Sequence, residues 1–397
     1  MEPPLRIGAV GLGRGFMLML PTFRADPRVQ LVAVADPRPE ARARFVAEFG
    51  GRAYADVAAL AADPEVDAVY VATPHQMHAE HVLAAAAAGK HVLVEKPMAV
   101  ALADAERMVD ACRAAGVHLI VGHSHSFDAP IAVTRAMIAG GTYGPLRMMT
   151  ALNFTDFVYR PRRIEELDSA EGGGVLFSQG AHQVDIVRLL AGGMAQTVRA
   201  IVGDWDDSRR TEGAYAALIT FAGGITASLT YSGYGHFDTD EFCGWSGETG
   251  SPRDPDEYGL ARRRLAAAAD PAAEVRLKET RAYGAGAAGP GAGAEPKLHE
   301  HFGLLLASCG KADLRPLPTG VMIYGDRERA LHPLPAPAVP RAEVVDELYA
   351  AVVHGTPPVH SGAWGLATLE VCTAMLRSAR EGREIALERQ VPVAGAG

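Results

Sequence analysis

A glycine-rich turn after the first apolar run constrains the fold more than any other feature of the chain. The run Leu5–Val10 leads into GLGRGF at 11–16, where a Gly-x-Gly turn opens a helix. Backbone N–H groups at the positive end of a helix dipole can hold a pyrophosphate. The turn therefore indicates a dinucleotide-binding βαβ unit, although Phe16 stands where the usual fingerprint has its third glycine. A purely structural glycine turn is the alternative.

Short β-branched runs alternate with longer alanine-rich stretches through the first third of the chain, a pattern typical of βαβ units and a parallel sheet. The predicted strands are Leu5–Val10, Leu31–Ala35, Ala68–Ala72, His91–Val94 and Val117–Val121. The clearest predicted helices are Pro39–Phe49, His78–Ala88 and Ala103–Ala115. Residues 1–125 are therefore expected to form a doubly wound Rossmann domain, which makes the fold class α/β.

The rest of the chain, residues 126–397, has a different pattern. Runs of period two at hairpin spacing predict an antiparallel sheet, with strands at Leu146–Asn153, Thr197–Val202, Ala214–Phe221, Ile225–Tyr231 and Gly320–Tyr324. A helix predicted at Ala181–Ala191 makes this second domain α+β. Residues 238–296 have little periodicity and are interpreted as a flexible insertion, and 341–397 as C-terminal helices.

Charge and cysteine usage exclude several classes of protein. The net charge is −9 and no block of Lys/Arg occurs, which argues against nucleic-acid binding. Neither a signal-peptide pattern nor an 18-residue apolar run is present, so we expect a cytoplasmic protein with no membrane segment. The four cysteines are far apart and lack CxxC spacing, which disfavours disulfides and a cysteine zinc site.

An acidic residue ends the second predicted strand. A carboxylate at this position, Asp36, accepts hydrogen bonds from the adenosine ribose and repels a 2′-phosphate. NAD is therefore favoured over NADP. Arg38 is close enough to pair with such a phosphate, which leaves NADP open, and a solvated surface arginine is the alternative.

Two more segments follow predicted strands, at the edge where open parallel sheets bind ligands. One is TPHQMH at 73–78, and the other is Glu95-Lys96-Pro97. A partly desolvated lysine beside a cationic nicotinamide loses its proton readily, so Lys96 is the candidate for proton exchange with a substrate hydroxyl. A surface lysine paired with Glu95 is the alternative.

Taken together, these segments resemble the Gfo/Idh/MocA family of oxidoreductases, named for glucose–fructose oxidoreductase and inositol dehydrogenase. The resemblance extends to a second-domain run, GGGVLFSQGAHQVD at 172–185. It implies NAD(P)-dependent hydride transfer at a hydroxyl-bearing carbon, a C-terminal domain with a large, mostly antiparallel sheet, and a homo-oligomer. It further implies that Lys96 assists proton transfer, that the Lys96–Pro97 peptide is cis, and that His182 faces the substrate.

One position departs from the family pattern. Members usually carry an aspartate four residues before the histidine, where this chain has Ser178. A serine can hydrogen-bond a substrate hydroxyl but cannot serve as a carboxylate base, so the proton-transfer machinery is expected to differ. His182 remains suited to acid–base work, and Asp185, one helical turn later, would orient it. A structural helix histidine is the alternative.

A His-x-His pair, His123 and His125, follows the last predicted Rossmann strand. On a strand both side chains would share a face, an arrangement that suits metal binding. No carboxylate or cysteine partner is evident beside them, and the family normally works without metal. We therefore expect no metal and assign His125 to substrate contact.

Arginines concentrate beside aromatic residues in the segment NFTDFVYRPRR at 153–163. Arginine recognises carboxylates by planar bidentate pairing, so Arg160 and Arg163 predict an anionic substrate. A surface loop or an interface is the alternative. The segment, with 122–127, 241–245 and 301–309, resembles the family branch that contains phthalate 4,5-cis-dihydrodiol dehydrogenases, which implies a substrate such as 4,5-dihydro-4,5-dihydroxyphthalate.

The complete prediction is as follows. The residues predicted to hold NAD, or NADP, are Gly11, Gly13, Arg14, Gly15, Phe16, Asp36, Arg38, Thr73, Pro74, His75, His78, Glu95 and Lys96. The predicted substrate residues are His125, Arg160, Arg163, Ser178 and His182, with Lys96 and His182 catalytic. The alternatives are a sugar, inositol or sugar-acid dehydrogenase, a non-catalytic NAD(P)-sensing regulator, and a structural scaffold with a vestigial nucleotide fold.

Overall fold

The computed structural model describes residues 2–268, 270–285 and 298–394, which divide into two compact units. Within that part, the first unit comprises 2–123, 275–285 and 339–366, and the second comprises most of 124–274, 298–338 and 367–394. The sequence-based division assigned the two later segments of the first unit to the second domain. They belong to the first because Tyr283 N–H donates to the Leu12 carbonyl (3.0 Å) and Val121 N–H to that of His360 (2.9 Å).

Six parallel strands form the sheet of the first unit. They are β1 (Leu5–Val10), β2 (Val29–Ala35), β3 (Arg52–Tyr54), β4 (Ala68–Val71), β5 (His91–Val94) and β6 (Leu119–Val121). Their order, β3-β2-β1-β4-β5-β6, is that of the doubly wound dinucleotide-binding fold. Because β1, β4 and β5 are neighbours, the segments that follow them meet at one edge of the sheet.

Five helices connect these strands, and the three whose bounds the sequence predicts lie within one residue of those bounds. The five are α1 (Arg14–Ala25), α2 (Pro39–Phe49), α3 (Val57–Ala61), α4 (His78–Ala87) and α5 (Leu102–Ala114). Helix α2 shows why: proline fixes the helical φ at its first residue, and Gly50 after its last adopts the left-handed conformation, with φ 68°.

Nine strands form the sheet of the second unit. They are β7 (Leu146–Phe154), β8 (Ala195–Gly203), β9 (Ala214–Phe221), β10 (Thr226–Ser232), β11 (Leu304–Cys309), β12 (Ala312–Leu317), β13 (Gly320–Gly325), β14 (Arg329–Pro333) and β15 (Ile385–Ala386). The order is β14-β13-β12-β11-β7-β10-β9-β8-β15, and only the β7–β10 pair is parallel. The predicted fold class, a parallel Rossmann sheet plus a mostly antiparallel one, is confirmed.

The remaining helices are α6 (Ala129–Ala139), α7 (Ala181–Leu190), α8 (Leu260–Ala266), α9 (Pro271–Glu279), α10 (Ala342–His354) and α11 (Gly362–Glu381). A π-helical turn, Leu176–Gly180, immediately precedes α7. None of the helices in the described ranges is long and apolar enough to cross a membrane.

The prediction of a flexible insertion at 238–296 is wrong for its described part. That part contains α8 and α9, and buried Glu274 accepts two hydrogen bonds from the Arg209 guanidinium (2.7 and 2.9 Å). Arg253 bridges Asp238 and Asp240 at 2.6 and 2.7 Å. Ion pairs rather than an apolar stripe hold this segment, so hydrophobic periodicity could not reveal it. The Gly/Ala tract from 286 onward lies outside the described residues.

Candidate active site

The glycine-rich turn of the first unit leaves no room for a side chain at Gly11 but is open at Gly13. Gly11 has φ 85°, and a Cβ there would lie 2.7 Å from Thr73 Cγ2 and 2.9 Å from the Ala72 carbonyl oxygen. Gly13, just before α1, faces open space, with no atom within 4 Å of a Cβ built on it. The backbone at Gly13 is therefore open to a ligand.

Phe16 does not replace the third glycine of the fingerprint in its packing role. Its ring is fully buried and meets the Tyr283 ring edge-on, with centroids 5.5 Å apart. The close approach is made instead by Gly15, where a Cβ would lie 3.3 Å from Glu95 Cγ. Only the backbone of Phe16 remains to serve a cofactor.

Asp36 and Arg38 form one hydrogen-bonded unit at the end of β2. The Asp36 carboxylate accepts from Leu12 N–H (2.8 Å) and from Arg38 Nε and Nη2 (2.9 and 3.0 Å). Burial opposes ionisation of Asp36, but these hydrogen bonds outweigh it and hold its pKa below the usual value. Arg38 is thus half-buried and held by Asp36 rather than fully solvated, as the surface alternative would have it.

Tyr283 is a residue of this region that sequence reasoning missed. Besides packing on Phe16, its carbonyl accepts from Arg38 Nη1 (3.3 Å) and its hydroxyl donates to Glu48 (2.7 Å). The described end of the insertion therefore covers the glycine-rich turn. A single tyrosine in a Gly/Ala-rich stretch gives no sequence signal for such a contact.

His78, one of the predicted cofactor residues, lies between two backbone carbonyls. The ring is fully buried, with Nε2 2.9 Å from the Thr73 carbonyl and Nδ1 2.9 Å from that of Pro97. Burial lowers its pKa to about 4, so the ring is neutral and donates to one of these carbonyls at a time. His78 therefore ties the loop after β4 to the segment after β5. Pro74 and His75 remain half-exposed in that loop.

Lys96 follows β5 at the carboxyl edge of the sheet and is half-buried. The Lys96–Pro97 peptide is cis, as the family resemblance implied. Glu95 accepts a hydrogen bond from the buried Tyr70 hydroxyl (2.6 Å), and burial raises the pKa of Glu95. The hydrogen bond from Tyr70 thus holds the Glu95 carboxylate in place.

In the second unit, His125 and His182 come together. Their ring centroids are 4.7 Å apart, and each ring lies about as close to Phe302, at 5.1 and 4.9 Å. The backbone N–H of His125 donates to His182 Nδ1 (3.3 Å), so a neutral His182 carries its proton on Nε2. The structure therefore selects the tautomer of the predicted catalytic histidine.

Asp185 and Ser178 make hydrogen bonds that the sequence did not indicate. Asp185 accepts from the hydroxyls of Ser126 and Thr368, the latter at 2.8 Å, so it fixes the loop that presents His125. The Ser178 hydroxyl donates to the Gly174 carbonyl across the π-helical turn. Ser178 can therefore serve a substrate only as a hydrogen-bond acceptor while this bond lasts.

Two carboxylates lie beside His125, contrary to the sequence-based argument against a metal. Asp128 Oδ2 is 2.8 Å from His125 Nδ1, and Glu300 offers a carboxylate oxygen within 4.8 Å of the ligand atoms of both. Burial opposes protonation of His125, but Asp128 and the neighbouring carboxylates outweigh it and raise its pKa. Glu300 is distant in sequence, so only the fold could bring it here.

The three arginines differ in their partners. Arg160 is paired with Asp156 (2.9 Å) and Glu248 (3.5 Å), and Arg163 with Glu165 (2.9 Å).

Arg162, which the sequence-based prediction passed over, has no carboxylate within 4.0 Å in the described part of the chain. Its guanidinium lies 3.6 Å from the centre of the Phe157 ring and donates to the Phe157 carbonyl (3.1 Å), and its Nε finds no partner there. Burial lowers the pKa of Arg162 to about 10. Among the described residues, Arg162 therefore lacks a carboxylate in direct contact, and Glu166 acts on it only from beyond 4.0 Å.

Two family models and one relative decide where the chain belongs. Residues 5–123 match the oxidoreductase family with an NAD-binding Rossmann fold, and residues 131–252 match the GFO/IDH/MocA C-terminal domain. The 1-carboxy-3-chloro-3,4-dihydroxycyclohexa-1,5-diene dehydrogenase of Comamonas testosteroni is 46% identical over 377 residues, 95% of each chain. The chain belongs to the Gfo/Idh/MocA family.

Other Gfo/Idh/MocA relatives agree with this placement. The trans-1,2-dihydrobenzene-1,2-diol dehydrogenase of Macaca fascicularis is 31% identical over 57% of this chain and 68% of its own. The crystal structure of a Bordetella bronchiseptica RB50 protein is 40% identical, with a TM-score of 0.90 over 96% of this chain and 100% of that one. The predictions of the family and of an NAD-binding oxidoreductase are confirmed.

The first unit of this Gfo/Idh/MocA protein fits its cofactor. A side chain at Gly11 would clash with its surroundings, whereas a Cβ at Gly13 would meet no atom within 4 Å. The lowered pKa of Asp36 keeps this carboxylate ionised near neutral pH. These are the features that a pyrophosphate and an adenosine ribose require. The second unit offers imidazoles, carboxylates and a guanidinium, which suit proton transfer and recognition of a polar anion.

Proposed function

We propose that this protein is an NAD⁺-dependent dehydrogenase of a carboxylated cyclic dihydrodiol. The observation that carries the proposal is Arg162, a half-buried residue with no described carboxylate within 4.0 Å of its guanidinium and no described hydrogen-bond partner for its buried Nε. A substrate carboxylate would supply a close counterion and satisfy Nε. The relative from Comamonas testosteroni, named for a carboxylated dihydroxy-cyclohexadiene, supports the same class of substrate.

The reaction breaks one C–H and one O–H bond of the diol. Bound NAD⁺ supplies the hydride acceptor, C4 of the nicotinamide. The hydroxyl proton passes to the Lys96 amine, and His182, which carries its own proton on Nε2, donates to a substrate oxygen. The carbonyl product of a cyclohexadiene diol tautomerises to a catechol, so aromatisation draws the oxidation forward.

The cofactor residues follow from the chemistry of the first unit. Backbone N–H groups from Gly13 to Phe16 would hold the pyrophosphate, and Asp36 would accept from the adenosine ribose in place of one hydrogen bond from Arg38. Arg14, which is exposed at the start of α1, and the half-exposed loop Thr73–His75 line the approach. Because Asp36 is anionic, NAD⁺ is preferred over NADP⁺.

The carboxylate anchor is Arg162 rather than the two arginines predicted from sequence. Arg160 and Arg163 already pair with acidic side chains, so a substrate carboxylate would have to displace those partners. Arg162 needs no displacement. Ser178 and His125 contribute polar contacts to the ring hydroxyls.

Absorbance at 340 nm tests this function, with purified protein, NAD⁺ or NADP⁺, and matched diols. The panel contains carboxylated and uncarboxylated cis-dihydrodiols, myo-inositol, aldoses and sugar acids. We expect NADH formation with the carboxylated diols and little with their uncarboxylated counterparts. Turnover of inositol or sugars alone would contradict the proposal and make the protein a polyol or sugar dehydrogenase. Cofactor binding with no turnover would favour the sensor alternative. Failure to bind either nucleotide would favour the structural scaffold.

A further inference from the structure

Side chains of types that bind metals converge around His125, and the hydride transfer proposed above uses none of them as an acid or base. They are His123, His125, Asp128 and Glu300, whose ligand atoms all lie within 4.8 Å of one another. His125 and Asp128 are each 6% exposed and Glu300 is half-buried. Acidic groups on an open surface often gather without a ligand, but burial makes such a gathering costly.

Neighbouring bonds hold these side chains in place. Asp128 N–H donates to the His125 carbonyl (3.3 Å), closing a turn just before α6. On the opposite side, His301 Nε2 bonds the Ser246 carbonyl (2.7 Å) and its Nδ1 accepts from Gly303 N–H (3.1 Å), which fixes the residue after Glu300. Outer bonds of this kind orient the ligands of metal sites.

Carboxylates gather at this cluster. Asp128 Oδ2 lies 2.8 Å from His125 Nδ1, and Glu300 adds a second carboxylate. A third, Glu248, contacts Arg160 at 3.5 Å, and Arg160 is shared with Asp156. A cation at the cluster would reduce the repulsion between these carboxylates and an anionic substrate.

We propose that His123, His125, Asp128 and Glu300 bind one divalent metal ion, Zn²⁺ or Mn²⁺. Two imidazoles and two carboxylates form a donor set that such ions accept. Four protein ligands leave positions for substrate on an ion of higher coordination number, such as six-coordinate Mn²⁺.

The open positions would take the oxygens of the diol or of its carboxylate. This role rests on the proposed function, because it needs an anionic, hydroxylated substrate. Metal binding itself does not rest on the proposed function, since it depends only on the four side chains.

Metal binding is tested on the full chain, purified, treated with chelator and desalted. Mn²⁺ is titrated in and the free ion is followed by its EPR signal, and bound Zn²⁺ is counted by mass spectrometry after equilibration and gel filtration. We expect one ion per chain. Asp128→Asn and Glu300→Gln should each weaken binding at least about tenfold. Glu241→Gln, which removes an exposed carboxylate of the same unit, should change nothing.

Wild-type protein that retains neither ion, or variants that bind as well as wild type, would overturn the proposal. If the circular-dichroism spectrum shows that Asp128→Asn is unfolded, Glu300→Gln alone tests metal binding, because Glu300 is half-exposed. Stoichiometric binding together with no turnover of any diol would leave the metal site standing and contradict only the proposed function. Turnover of the carboxylated diol that chelator leaves unchanged would contradict the metal's role with substrate.

Discussion

The two units present their chemistry in different ways. In the first, the binding groups are mostly backbone atoms of short local motifs, such as the turn at Gly11 and the loop after β4. In the second, they are side chains from distant segments, such as His125, Arg162 and Glu300. A backbone motif needs particular residues at particular spacings, whereas a side-chain site needs only that the fold bring its members together. Local motifs are therefore visible in a sequence, and convergent side chains are not.

The largest effect should come from Lys96, the first-unit side chain to which we assign proton transfer. Lys96→Ala removes the proton acceptor and should lower kcat by about 10²–10⁴-fold. The Kd for NAD⁺ should stay nearly constant, because the backbone turn remains. Steady-state rates and fluorescence titration with NADH check this, with the exposed Lys311→Ala as control. A loss of NADH binding equal to the loss of turnover would make Lys96 part of the cofactor site only.

Gly11→Ala tests whether the first unit depends on its backbone. The new Cβ would meet Thr73 and the Ala72 carbonyl, and the positive φ alone costs roughly 1–3 kcal/mol. We expect weaker NAD⁺ binding and a lower free energy of unfolding. Gly50→Ala is the matched control, because Gly50 has φ 68° and no atom within 4 Å of its Cβ position. Equal NAD⁺ affinity in the two variants would refute the claim that the turn is sterically closed.

The second unit should show a pH dependence that comes from a buried side chain. Burial, aided by Asp238 and Glu248, raises the pKa of Asp240 to about 7. The folded state thus prefers protonated Asp240, so the contribution of this group to stability is greatest near pH 4 and declines as the pH rises to about 7. Asp240→Asn should reduce this decline by about 1–2 kcal/mol. The free energy of unfolding is measured by urea titration in metal-free buffer between pH 4.5 and 8. The control is Asp254→Asn, which changes an exposed carboxylate. Parallel curves for wild type and Asp240→Asn would contradict the shift.

The smallest effect tests whether the insertion stabilises the first unit. Tyr283→Phe keeps the ring against Phe16 but loses the hydrogen bond to Glu48. We expect the free energy of unfolding to fall by about 0.5–1.5 kcal/mol. Tyr283→Ala, which also removes the ring contact, should cost more. Indistinguishable stabilities for all three proteins would mean that this segment does not hold the glycine-rich turn.

The sequence could predict the first unit closely because periodicity and turn residues act over short distances. Strands β1 and β5 and helix α2 lie at their predicted bounds. In the second unit β12 was missed because Pro316 interrupts its pattern, and β11 because a run of leucines does not alternate. The insertion was taken for a loop because its stability comes from ion pairs such as Arg209–Glu274.

The residues of the candidate site also differ in how far the sequence could predict them. Asp36 and Lys96 could be selected from their places after strands. Arg162 could not be preferred over Arg160 and Arg163 from the sequence, because the three arginines differ in the acidic partners that they contact in the folded chain. Tyr283 and Glu300 required tertiary structure altogether.

The central claim is that the second unit recognises a carboxylate through Arg162. The most direct test is the ratio of kcat/KM for a carboxylated dihydrodiol to that for the same diol without the carboxyl group, in wild type, Arg162→Gln and Arg163→Gln. A charged hydrogen bond is worth about 1.5–3 kcal/mol, so Arg162→Gln should lower the ratio by about 10–150-fold. Arg163→Gln should leave it nearly unchanged. An unchanged ratio in Arg162→Gln, or a larger loss in Arg163→Gln, would contradict the account.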